Sequence, residues 1–149
     1  MSSITELVRL EPREAARRIV EARRNETGWL DELSEALDRR RAGQALGRIL
    51  EVWGLSQSDA SRLFGVSRQA VSKWLTGGVP SDRAGAVANL GAATDLLVRY
   101  LKRDRIPAVV RREAAGLDGR SLVDLVRESR TRDVLEACRA MFAFENVQA

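Results

Sequence analysis

Apolar residues recur every three or four positions along almost the whole chain, and no run alternates apolar and polar residues as a β-strand would. Only three prolines interrupt the 149 residues, so long stretches are free to be helical. The pattern predicts an all-α protein with helices near residues 12–24, 28–40, 42–53 and 81–103. Shorter helices are predicted to follow, to about residue 144.

The first 41 residues form a predicted N-terminal helical extension. Ile19 and Val20 belong to an apolar stripe on the helix that begins near Pro12, a residue suited to a first helical turn. Trp29 lies on the second helix, and we interpret it, like Trp53 further along, as a core residue. Basic and acidic residues are balanced in this extension, nine of each.

The segment from residue 55 to residue 78 has the features of two short helices joined by a tight turn. Ser56 and Asp59 form a Ser-x-x-Asp capping box at the start of the first helix. Gly65 permits the left-handed backbone conformation that such a turn requires. Ser67 is placed to cap the second helix. The sequence therefore predicts a helix-turn-helix.

Apolar residues on the second of these helices determine where its polar residues point. If Val71 and Trp74 face inward, the side chains that must face solvent are Arg68, Gln69, Ser72 and Lys73. Arginine pairs well with the edge of guanine and glutamine with the edge of adenine. We expect Arg68 and Gln69 to contact bases, and Lys73 and Arg62 to contact phosphate.

This segment resembles the Cro/repressor (Xre-type) helix-turn-helix in its Leu-Ser-Gln start, its Gly-Val-Ser turn and its Ser-Lys-Trp ending. The resemblance implies that Gln57 binds phosphate and braces the recognition helix, and that Ser67 also contacts phosphate. The full predicted DNA interface is Ser56, Gln57, Arg62, Ser67, Arg68, Gln69, Ser72 and Lys73. The alternative is a helical hairpin inside a bundle, which would not require outward Arg-Gln at the start of the second helix.

An apolar stripe runs along the predicted helix 81–103 with alternating spacings of three and four, and its members are Val87, Leu90, Thr94, Leu97 and Leu101. We predict that this stripe is the dimerisation surface, although a partner helix in the same chain would satisfy it equally well. The hydroxyl of Thr94 can bond to the carbonyl one turn earlier, which makes it tolerable in the stripe. Gly85 and Gly91 suggest close packing against another helix.

The C-terminal segment contains the turn Gly119-Arg120-Ser121-Leu122, which Leu125 follows on the next helix. These residues resemble the toxin-binding domain of Xre/MbcA/ParS-type antitoxins, while Val123-Asp124 stands where the family varies and the usual proline is absent. The resemblance implies a cognate toxin of the RES class as a partner, bound through Gly119, Arg120, Ser121, Leu122, Leu125, Met141 and Phe142. The alternative is a scaffold and dimerisation domain.

Composition narrows the classes of function. The chain has no histidine and one cysteine, which leaves no zinc cluster, no internal disulfide and little acid–base chemistry. We therefore expect no enzymatic activity, no cofactor and no metal, and we place Cys138 in the core. The net charge is +4, and residues 42–81 carry four basic and two acidic residues, which is permissive for DNA binding.

The location and organisation of the protein follow from the same features. No apolar run approaches the roughly 20 residues that span a bilayer, and the first residues do not read as a secretory signal. We expect a cytoplasmic protein that associates with the nucleoid when bound to DNA. Its predicted domains are residues 1–41, the head 42–80 and the C-terminal helical domain 81–149.

Two functions remain open at this point. One is a dimeric repressor that places two recognition helices in successive major grooves of a double-stranded operator. The other is the antitoxin of a type II toxin–antitoxin pair, which would neutralise a RES-type toxin and autoregulate its operon.

Overall fold

The structure is a computed structural model that describes the backbone of residues 3–147 and the side chains of residues 3–143. The described residues form helices that are joined by turns and loops, and they contain no β-strand. The predicted all-α class is therefore confirmed. The helices are α1 (Ile4–Leu7), α2 (Pro12–Ala22), α3 (Thr27–Trp53), α4 (Gln57–Phe64), α5 (Arg68–Gly77), α6 (Ser81–Tyr100), α7 (Ile106–Arg111), α8 (Leu122–Arg127) and α9 (Thr131–Val147). Two 3-10 turns cover Arg103–Arg105 and Ala115–Leu117. Within this described range, no helix is both long enough and apolar enough to cross a membrane.

The chain divides into two compact units, Met1–Asp38 and Arg39–Ala149. The second unit contains both the predicted head and the predicted C-terminal helices. The predicted helices 28–40 and 42–53 are one continuous helix, α3. The reason is local, because the arginines at the expected break are good helix formers and no proline interrupts them.

The first unit has little interior of its own. Neither α1 nor α2 contains a buried residue. Trp29 is 39% exposed, with the guanidinium of Arg23 lying 4.5 Å from its ring centroid. The prediction that Trp29 is a core residue is wrong, because the neighbouring helices of this unit do not cover its ring.

The core of the second unit is formed largely by α3, α6 and α9. In α6, Val87, Leu90, Thr94 and Leu97 are 2% exposed or less, and α6 packs along α9. The apolar face that covers them includes Val134, Cys138 and Phe142 of α9. The prediction that Val87, Leu90, Thr94, Leu97 and Leu101 form a dimer surface is therefore wrong. The partner helix lies in the same chain and leaves only Leu101 half-buried.

Thr94 is the polar centre of this core. Its hydroxyl donates to the Leu90 carbonyl oxygen at 2.7 Å, as expected for a threonine inside a helix. The same oxygen accepts a hydrogen bond from the indole Nε1 of Trp53 at 2.9 Å. Trp53 is 1% exposed, which confirms it as core. The pair satisfies both buried polar groups and fixes α3 against α6.

Close helix packing occurs at glycines other than the predicted ones. A Cβ added to Gly85 or Gly91 would meet nothing within 4 Å, so the expectation of close packing there is wrong. A Cβ on Gly43 would instead overlap the carbonyl oxygen of Trp74. Gly78, with φ +118°, lies against the backbone of Arg39. These two glycines let the end of α5 lie directly on α3.

Candidate functional site

The start of α4 is fixed by the predicted capping box. The Ser56 hydroxyl accepts from the Asp59 N–H at 3.0 Å, and the Asp59 carboxylate accepts from the Ser56 N–H at 2.9 Å. That backbone hydrogen bond is the main reason that the pKa of Asp59 is lowered. Asp59 also accepts from Nη2 of Arg62 at 2.6 Å. Arg62, a predicted phosphate contact, is thus held in an exposed ion pair.

The turn between α4 and α5 has the predicted chemistry. Gly65 adopts the left-handed conformation, with φ 64° and ψ 36°. The Ser67 hydroxyl accepts from the Ala70 N–H at 3.0 Å and so caps α5. The rings of Phe64 and Trp74 pack edge to face, with centroids 6.0 Å apart. Trp74 therefore holds the two helices together and does not face outward.

All eight residues of the predicted DNA interface are exposed, whereas Val71 and Trp74 are buried behind them. Four of the eight, from both α4 and α5, line one open depression of about 350 Å³, and they are Gln57, Arg68, Gln69 and Ser72. Arg68 and Lys73 form no ion pair with any side chain in the described part of the protein. The exposed surface of α4 and α5 therefore presents two cations that have no ion-pair partner, Arg68 and Lys73. It also presents two side-chain amides, those of Gln57 and Gln69.

Arg62 belongs to a different concavity. It lines a cleft of about 310 Å³ together with residues that follow α7, among them Ser121 and Asp124. The structure therefore separates it from the row formed by Gln57, Arg68 and Gln69.

Arg111 is a structural residue that sequence reasoning missed. Its guanidinium donates to the carbonyl oxygens of Trp53 at 2.9 Å and Gly54 at 2.8 Å, which satisfies the end of α3. It also donates to the Pro107 carbonyl within its own segment at 2.8 Å. No sequence signal could have found it, because the two ends of the contact are 58 and 57 residues apart.

The predicted turn before α8 is present and is self-contained. Gly119 has φ +76°, and Ser121 forms a capping box with Asp124 at 3.0 and 2.9 Å. The hydrogen bond from the Ser121 N–H is the main reason that the pKa of Asp124 is lowered. Arg120 bonds to Glu128 at 2.9 Å. These polar residues stabilise the turn itself.

Three apolar residues assigned to partner binding lie in the core instead, and Ser121, assigned to the same surface, is buried at the turn with 4% exposure. Leu122, Leu125 and Phe142 are 2%, 1% and 4% exposed, and the ring of Phe142 stacks on Tyr100 at 4.7 Å. As a contact surface for a partner, these three residues were predicted wrongly. The reason is that α8 and α9 bury their apolar faces within the same unit.

Met141 is the exposed one among the large apolar residues of the predicted partner set, at 45%. It lies between two grooves of about 450 and 260 Å³. Both grooves are also lined by Ala114 and Leu117, and the smaller one extends to Leu101 and Val109. We call Leu101, Val109, Ala114, Leu117 and Met141 the Met141 surface.

Cys138 is fully buried on α9. Burial raises the pKa of its thiol to about 12, so the thiol is neutral at ordinary pH. The prediction that it is a core residue is confirmed.

The fold resembles that of a chain in a solved toxin–antitoxin complex. The solved structure is the M. tuberculosis MbcT–MbcA toxin–antitoxin complex, which matches with a TM-score of 0.55 and 25% sequence identity. The match covers 66% of this chain and 91% of the chain in that complex. No family model and no curated protein sequence matches this chain. The likeness supports an antitoxin-like fold.

Proposed function

We propose that this protein is the antitoxin of a toxin–antitoxin pair and that it represses its own operon through α4 and α5. The observation that carries the proposal is the structural match to the MbcT–MbcA complex, which spans 91% of the matched chain. The resemblance of residues 119–125 to the toxin-binding domain of Xre/MbcA/ParS-type antitoxins supports the same partner class, a RES-type toxin.

The Met141 surface is our candidate for the toxin contact. Met141 and Ala114 are exposed in it and Leu117 is half-buried, and apolar patches rimmed by polar residues mark protein interaction sites. The rim of the larger groove carries both signs of charge, from Arg130, Asp133 and Glu136. Of the residues that the family resemblance assigned, Met141 thus has the geometry of an anchor.

The toxin contact is tested by co-expressing this chain with the protein encoded beside it. We expect a complex in size-exclusion chromatography with light scattering, and rescue of growth when this chain is present. Met141→Arg should lower the affinity at least about tenfold, because it places a charge in the apolar contact.

Ala143→Arg is the matched control for that experiment. Ala143 is exposed on the same helix, but two residues turn a helix by about 200° and place it on the other side. Equal binding by the Met141 variant and the wild type would remove the Met141 surface from the proposal. No complex with the neighbouring protein would remove the antitoxin function itself.

DNA binding is supported by the exposed polar side chains of α5, which are Arg68, Gln69, Ser72 and Lys73. The N-terminal half of a recognition helix is the part that meets base edges, and Arg68 and Gln69 occupy that part of α5. Arg68 and Lys73 can bind DNA without first giving up an ion pair, whereas Arg62 is already bonded to Asp59. We therefore assign the main contacts to α5 and a smaller contribution to Arg62.

The DNA contacts are tested on the DNA upstream of the gene and on a random duplex. Gln69→Ala should lose affinity for the upstream DNA only, because it removes a base contact. Lys73→Ala should weaken binding to both duplexes and lower the salt slope by about one. Arg62→Ala should have the smaller effect of the two basic substitutions.

The same experiment separates the two functions. Equal losses on both duplexes for Gln69→Ala would contradict a base contact at that position. Specific DNA binding without a toxin complex would make the protein a dedicated repressor. The exposed polar side chains of α5 are compatible with that function too.

A further inference from the structure

Exposed apolar side chains are concentrated in the first unit. Among the described residues, six large hydrophobic side chains are exposed, and five of them lie before residue 38: Ile4, Val8, Val20, Trp29 and Leu37. Their exposure ranges from 39% for Trp29 to 80% for Ile4. A unit that buries so little of its own apolar surface is suited to burying it against another molecule.

The polar face of α2 is already satisfied within the helix. Arg17 pairs with Glu14 at 2.7 Å and with Glu21 at 3.2 Å, and Arg18 pairs with Glu14 at 3.1 Å. The two arginines hold the pKa of Glu14 at about 2. This ion-paired face supports the helix, and Val20, which lies beside it and is 51% exposed, is left for a partner.

Basic and acidic residues occupy separate segments of the first unit, and this separation favours a second copy of the same chain as the partner. Residues 9–24 carry six basic and three acidic residues, whereas residues 25–38 carry five acidic residues and no base. Unpaired charges remain on both sides, because no described side chain pairs with Arg13 or Arg24 in the basic segment, or with Asp31, Glu32 or Asp38 in the acidic segment. When a second copy is related to the first by a two-fold axis, the basic segment of each copy can face the acidic segment of the other. DNA or an anionic membrane would be repelled by the acidic segment.

We propose that residues 3–38 form a homodimerisation surface, in which the basic segment 9–24 of one copy faces the acidic segment 25–38 of the other. This surface takes over the role that the sequence suggested for α6, whose stripe is buried inside one chain. The inference goes beyond the proposed function, because it requires neither DNA nor toxin. It would allow two α4–α5 pairs to bind two half-sites of an operator.

The test is the mass of the full chain in solution without DNA or toxin. The 16.5 kDa chain should run at twice that mass in light scattering and dissociate on dilution. The variant Val20→Ser/Leu37→Ser should raise the dissociation constant at least about tenfold. Both positions are exposed, so far-UV circular dichroism should remain that of the wild type.

A charge exchange makes the test specific for the proposed pairing. Asp31→Lys/Glu32→Lys and Arg13→Glu/Arg24→Glu should each be monomeric alone, because like charges then face each other. Mixed in equal amounts, the two variants should form a heterodimer, which misfolded chains could not do. A monomeric wild type, a dimer that survives Val20→Ser/Leu37→Ser, or a mixture that stays monomeric would each overturn the inference. None of these outcomes depends on whether the protein binds DNA or a toxin.

Discussion

Replacing Thr94 by valine tests the polar centre of the core. The substitution keeps the branched shape of the side chain but removes the oxygen that accepts from the Trp53 indole at 2.9 Å. A buried donor left without a partner costs about 1–3 kcal/mol. The added methyl group recovers up to about 0.8 kcal/mol. Taking the middle of that cost, about 2 kcal/mol, we expect a net loss of about 1–2 kcal/mol in the free energy of unfolding.

Urea unfolding followed by far-UV circular dichroism measures this loss. With a slope of about 2 kcal/mol/M, the midpoint should fall by about 0.5–1 M. Thr76→Val is the matched control, because Thr76 makes the same bond to a carbonyl four residues earlier, at 3.0 Å, but is exposed. Water replaces its hydroxyl there, so its effect should stay within about 0.5 kcal/mol.

The double variant separates the hydrogen bond from general packing effects. Once Trp53→Phe has removed the indole donor, Thr94→Val should cost less than it does in the wild-type background. The reasoning is refuted if Thr94→Val is no more destabilising than Thr76→Val, or if its effect is the same in both backgrounds.

Two glycines and the cysteine provide further tests. Gly43→Ala should destabilise the protein by about 1–3 kcal/mol, because its Cβ would overlap the Trp74 carbonyl. Gly85→Ala, in open space inside α6, should instead stabilise it by about 0.5–1 kcal/mol, and two shifts of the same sign in urea unfolding would contradict this account. Cys138 should not react with a thiol reagent at pH 8 in the native protein and should react fully in urea, since burial keeps its thiol protonated. Rapid reaction without denaturant would show that the thiol is accessible.

The local chemistry of the helix ends could be predicted from the sequence, whereas helix partners could not. The capping boxes at Ser56 and Ser121 and the left-handed Gly65 depend on residues within three or four positions of one another. The stripe on α6 was also recognisable as a buried face. Its spacing is the same whether the covering helix is α9 or a second subunit, so the sequence alone left the partner open.

Exposure was predictable on α5 but not around Met141. The inward positions Val71 and Trp74 determine by helical geometry which polar residues of α5 face solvent. In the C-terminal segment, by contrast, Leu122 of α8 and Met141 of α9 are both apolar members of helical faces. Only the tertiary packing decides that Leu122 is buried and Met141 is exposed. The same holds for Trp29 and Trp53, which lie near opposite ends of α3: the sequence predicts both as core residues, but only Trp53 is covered by other side chains.

The contact made by Arg111 determines how the protein can be divided. The end of α3, which leads directly into α4, is completed by a guanidinium from α7, and Trp53 at that end is bonded to α6. The α4–α5 pair therefore depends on contacts with α6 and α7 and cannot be separated from the rest of the unit as an independent segment. A fragment that stops after residue 80 would lack Thr94 and Arg111, the partners of the last turn of α3. Exchange of DNA specificity with a relative would thus proceed by substituting exposed residues of α5 in place, and not by transplanting the segment.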